Sequence, residues 1–106
     1  MPNECVNRIT VTCNESRDKI LSEILIVPGV TITQRGRRGF RFECVTAWVP
    51  YNEWVETMTA RYPDCWAKNK WLSEDGKAGV WVGTGAKHDV FEWDDLSIDD
   101  ECHLFS

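Results

Sequence analysis

The chain has 106 residues, 42% apolar and 27% charged, a balance that suits one globular core and excludes a disordered chain. Its longest strictly aliphatic run, residues 24–27, is far short of a membrane span, and the opening Met-Pro-Asn-Glu-Cys lacks the basic and apolar regions of a secretory signal, so one intracellular domain over residues 1–106 is expected. The net charge of −5 is polarised, with residues 1–53 balancing at +1 and residues 54–106 at −6, so phosphate backbones are repelled unless a local basic patch overrides the field.

Residues 5–13 alternate, with Cys5, Ile9, Val11 and Cys13 on one face and Arg8, Thr10 and Thr12 on the other, the pattern of a half-buried strand. Asn14 and Ser16 are good N-caps. Ile20, Leu21, Ile24 and Leu25 then recur at helical spacing, predicting an amphipathic helix over 15–26 that Pro28-Gly29 stops. Residues 30–33 form a short β-branched strand, residues 34–39 carry the glycines of a hairpin tip, and residues 40–47 form the return strand with Phe40, Phe42 and Cys44 on one face. A second helix over 51–61 places Trp54, Val55, Met58 and Tyr62 on one stripe, and Pro63 ends it. Strands follow at 65–72 and 78–83 around an Asp75-Gly76 turn, and one more at 88–93. The order predicts an α+β fold: the ferredoxin-like split β-α-β sandwich, βαββαβ plus one or two extra C-terminal strands. Its antiparallel sheet carries two helices on one face and leaves the other open. Residues 94–106 are an acidic C-terminal segment.

The five cysteines are odd in number and show no Cys-x-x-Cys spacing. Five reduced thiols are therefore expected, with no metal and no cofactor. By parity Trp66 and Trp71 fall on opposite faces of their strand, so one of them turns away from the helices.

Two segments carry a family resemblance. Met1-Pro2-Asn3-Glu4-Cys5-Val6-Asn7-Arg8-Ile9-Thr10-Val11 resembles the Met-Pro-Asn-x-Cys-x-Asn-x-Leu-x-Val start of the YubB ferredoxin-like family of bacteriophages and conjugative plasmids. Thr46-Ala47-Trp48-Val49-Pro50, Trp54, Tyr62-Pro63, Glu74-Asp75-Gly76 and Gly83 resemble its second half, where a Thr-x-Trp-x-Pro corner leads into a helix ending at an aromatic-Pro pair. This chain departs from the pattern in carrying Glu4 where the family has Trp, in a short region between the two segments, and in its last eighteen residues. The resemblance implies a fold and a mobile-element origin; it brings no catalytic residues.

The residues themselves form no catalytic constellation. His88 and His103 have no oriented partner in the sequence, and Gly83-Thr84-Gly85 is a lone Gly-x-Gly, so the chain is expected not to be an enzyme. The leading expectation is a phage or mobile-element protein that binds a host protein, or a protein–nucleic-acid complex, stoichiometrically in the bacterial cytoplasm. It would act there as a counter-defence inhibitor of the anti-CRISPR kind, and a homodimer is compatible with this. Contacts are expected from Arg35, Arg37, Arg38 and Arg41, from Trp66 and Trp81, and from the acidic array Asp94, Asp95, Asp99, Asp100 and Glu101. The alternative is a single-stranded nucleic-acid-binding domain using the open sheet face and the arginine hairpin. In that reading Arg38-Gly39-Phe40-Arg41-Phe42 stands where RNA-recognition motifs carry base-stacking aromatics, although alternation equally makes Phe40 and Phe42 core residues.

Overall fold

The computed structural model describes residues 4–93. Eight elements run in order: β1 (Glu4–Cys13), α1 (Arg17–Leu25), β2 (Thr31–Arg35), β3 (Gly39–Ala47), α2 (Asn52–Arg61), β4 (Cys65–Ser73), β5 (Ala78–Gly83) and β6 (His88–Trp93). The strands form one six-stranded sheet in the order β2-β3-β1-β4-β5-β6. Every neighbouring pair is antiparallel. The fold is thus α+β, a sheet with two helices, and among the described residues two strands, β5 and β6, follow the βαββαβ order.

Alternation decides the faces. Cys5, Asn7, Ile9, Val11 and Cys13 of β1 are buried against the helices, as are Phe40, Phe42 and Cys44 of β3 and Ala67, Asn69 and Trp71 of β4. Helix α1 closes the core with Ile20, Leu21 and Ile24, and α2 with Val55, Met58 and Thr59. Burial of each large aliphatic side chain in this layer stabilises by roughly 1.5–3 kcal/mol. Leu25, expected on the inward stripe, instead faces solvent at 50% exposure, while Ile24 of the same final turn is fully buried in the core. Helix α1 also starts two residues later than expected. Its first N–H groups are not capped by Asn14 or Ser16; the Asp64 carboxylate before β4 accepts the N–H of Glu15 (2.9 Å), the N–H of Ser16 (3.0 Å) and the Ser16 hydroxyl (2.7 Å). These donors hold Asp64 well below the usual carboxylate range, at about 2.

The expectation of five reduced thiols is corrected. Cys13 and Cys65 form a disulfide, their Cα atoms 4.2 Å apart where the last residue of β1 meets the first of β4. The pairing is invisible in the sequence because 52 residues separate the partners, and it arises from strand register alone. Cys5 and Cys44 are free and buried, and burial pushes the Cys44 thiol up to about 11. Cys102 lies outside the described residues.

At the far end of the sheet the core is polar. Asn7, fully buried, donates to Thr46 Oγ1 (3.0 Å), and its Oδ1 accepts the Tyr51 N–H (2.9 Å) and the Asn69 amide (3.2 Å). The Thr46 hydroxyl in turn donates to the Val49 carbonyl, and the Val49 N–H returns to the Ala47 carbonyl at 2.8 Å. The latter bond closes a γ-turn whose central residue is Trp48, at φ 71°. The buried network thus pins a left-handed tryptophan that stands 65% exposed.

Candidate functional site

The face turned away from the helices collects positive charge from three adjacent strands. Outward-pointing positions are Arg8, Thr10 and Thr12 on β1, Arg41 and Glu43 on β3, and Trp66, Lys68 and Lys70 on β4. Register places them as neighbours: Arg8 lies between Glu43 and Lys70, Thr10 between Arg41 and Lys68, and Thr12 beside Trp66. Together they line a shallow groove of about 520 Å³. The Arg8 Nε sits 3.3 Å from a Glu43 carboxylate oxygen, and Arg41 donates to the Gln34 side chain at 2.9 Å. Among the described residues neither Lys68 nor Lys70 has an ion pair. Lys70 lies below the ordinary lysine range, first through burial and then through repulsion from Lys68, Arg41 and Arg8. The strip continues to the hairpin, where Arg38 and Arg41 share a second depression of about 240 Å³ with Thr10, Thr12 and Phe40.

Beyond β4 the same face turns apolar. Register puts Val80 and Val82 of β5 beside Lys70 and Lys68, and Phe91 of β6 opposite Val80. Phe91 is 51% exposed. The open face therefore has a basic half carrying an exposed Trp66 and an apolar half carrying an exposed Phe91.

The expected contact residues divide. Arg41 and Trp66 are together in the groove, and Trp66 is the outward member of the Trp66/Trp71 pair, as parity requires. Arg35, Arg37 and Arg38 are exposed at the β2–β3 turn. Trp81 is not a surface residue: it is fully buried, its indole N–H donates to Glu56 at 3.2 Å, and the His88 ring stacks on it at 4.7 Å. Its strand is covered by α2 on that face, which periodicity within β5 alone does not reveal. Phe40 and Phe42 also face the helices, at 3% and 1% exposure, so neither can stack a base. Asp94, Asp95, Asp99, Asp100, Glu101 and His103 lie outside the described residues. Sequence reasoning missed Arg8, Lys68 and Lys70. Their outward parity was legible within each strand, but that they converge depends on register between strands.

Cys13, Asp64 and Cys65 bring their donor atoms within 4.8 Å of one another. The two sulfurs are bonded to each other and the carboxylate is occupied by the start of α1, so the donors present do not fit a metal. Among the described residues no helix is long and apolar enough to cross a membrane. No family model, curated protein or solved structure matches the chain.

Proposed function

We propose that this protein is a binding module whose open sheet face takes single-stranded nucleic acid. The observation that carries the reading is the convergence of Arg8, Arg41, Lys68 and Lys70 in one groove that ends at Trp66, on a chain whose net charge is −5. Cations along the groove suit phosphates, while Trp66, and Phe91 across the sheet, offer flat surfaces on which bases of any sequence stack. The strand order β2-β3-β1-β4 about two helices supports the ferredoxin-like assignment, with β5 and β6 widening the platform. The test is anisotropy with a labelled 15-nucleotide oligothymidylate. Binding through four phosphates should weaken about 50-fold between 50 and 200 mM salt. Lys68→Glu with Lys70→Glu should abolish it, and Trp66→Ala should cost about 1–3 kcal/mol. No binding at low salt, by the wild-type chain or by one with a neutralised acidic segment, ends the reading.

A second reading, stoichiometric binding of a host protein, is favoured by Trp48. An exposed tryptophan held in a strained turn, with Val45 and Val49 at 56% and 65% exposure beside it, has the character of a protein-contact anchor. The family resemblance would make such a protein a mobile-element counter-defence inhibitor in the bacterial cytoplasm. Under this reading a host partner survives nuclease treatment and is lost with Trp48→Gly; a partner retained by that variant removes the support.

A further inference from the structure

The basic groove has a complementary sequence within its own chain. Residues 94–106 carry Asp94, Asp95, Asp99, Asp100 and Glu101 with no Lys or Arg. They follow Trp93, whose backbone pairs with Ala78, itself opposite Leu72 of β4. Lys70 is two residues along β4 from that point. Crossing from β6 to β1 takes three strand spacings, about 14 Å. Five extended residues cover about 16 Å and thirteen cover about 43 Å, so the reach is ample. The order of residues matches as well. After Asp94 and Asp95, Leu96 and Ile98 precede Asp99-Asp100-Glu101, an apolar-then-acidic order that parallels the face from Val82 and Phe91 to Lys68, Lys70 and Arg41.

We propose that residues 94–106 are an intramolecular occupant of the open sheet face, with their carboxylates standing in for phosphates in the groove of Arg41, Lys68 and Lys70 and competing with nucleic acid for it. The competition rests on the nucleic-acid reading above; the occupancy does not. A tethered segment competes at the high effective concentration its short connection sets, so even weak carboxylate–lysine contacts suppress binding of a free strand. They also exclude weak polyanions, while a strand that adds stacking on Trp66 and Phe91 displaces them. An acidic protein thereby keeps a basic site without indiscriminate binding.

The test uses the full chain with Asp94→Asn, Asp95→Asn, Asp99→Asn, Asp100→Asn and Glu101→Gln. A control carries Glu15→Gln, Glu53→Gln and Glu74→Gln, exposed acids elsewhere on the molecule. Without nucleic acid, NMR shifts of the Lys68 and Lys70 side chains and of the β1 and β4 amides should change in the first variant and not in the control. The 15-nucleotide oligothymidylate should bind the first variant at least 10-fold more tightly than wild type, and an added peptide of residues 94–106 should reverse the gain. Unchanged shifts, or an equal gain in affinity by the control, overturn the proposal. Unchanged shifts with binding in both proteins overturn the occupancy and leave the nucleic-acid reading standing. Shifted resonances with no oligothymidylate binding by either protein uphold the occupancy and end the nucleic-acid reading.

Discussion

Asp64 is a carboxylate committed to backbone. It accepts the N–H groups of Glu15 and Ser16 ahead of α1, and these bonds are why its pKa falls to about 2. A carboxylate depressed in the folded state contributes its full stability above the unfolded value near 4 and loses it as pH falls toward about 2. Asp64→Asn should therefore lower the melting temperature at pH 7, and the difference from wild type should shrink below about pH 4 and fade as the pH drops through about 2. A pH-independent difference would assign the loss to packing. Trp48 presents the opposite case, a residue that costs stability where it stands. A left-handed φ is strained for tryptophan, by about 1–3 kcal/mol, and its side chain recovers little when 65% exposed. Trp48→Gly should leave the melting temperature unchanged or raised, although a large aromatic has been removed. A drop of several degrees would show that the indole packs.

The elements were legible in the sequence almost residue by residue, because strand alternation and helical spacing are local signals. The arginine-rich tip and the Asp75-Gly76 turn followed from two or three neighbouring residues, and strand parity made one of Trp66 and Trp71 outward without saying which. What escaped depended on partners distant in the chain. Examples are the Cys13–Cys65 bond, the binding of the Glu15 and Ser16 N–H groups by Asp64, the covering of Trp81 by α2, and the meeting of Arg8 with Lys70. Asn7 belongs with these. It occupies a buried position of β1 and is satisfied there by Thr46, Tyr51 and Asn69 from three other parts of the chain. At the level of strand pairing, Gly79 of β5 lies directly opposite Trp71 of β4. A Cβ there would collide with the Trp71 ring and with the Phe91 carbonyl of β6. Gly79→Ala should destabilise by about 1–3 kcal/mol in denaturant unfolding, as overpacked cores do, and should perturb β5 and β6. Unchanged stability would mean that the Trp71 ring can swing aside.

For the molecule as a whole, the disulfide ties the start of the chain to the strand that follows α2. Closing a loop of 52 residues restricts the unfolded chain by about 4 kcal/mol in the loop-entropy account. Reduction, or Cys13→Ser with Cys65→Ser, should accordingly lower the melting temperature by 10 °C or more, since each kcal/mol moves a domain of this size by about 4–8 °C. A shift of a degree or two would show that sheet packing alone sets stability. The sheet order also bears on how the protein is made. Strand β1 precedes the other described strands in the chain and lies inside the sheet, bonded on one side to β3 and on the other to β4. A nascent chain therefore holds β1 with both edges unsatisfied until residue 47 has emerged, and with one edge open until residue 73. Unpaired strands invite pairing with other chains. The outward row Arg8, Thr10 and Thr12 makes one face of β1 polar and charged throughout that interval, which disfavours association of the growing polypeptide with its neighbours on the polysome.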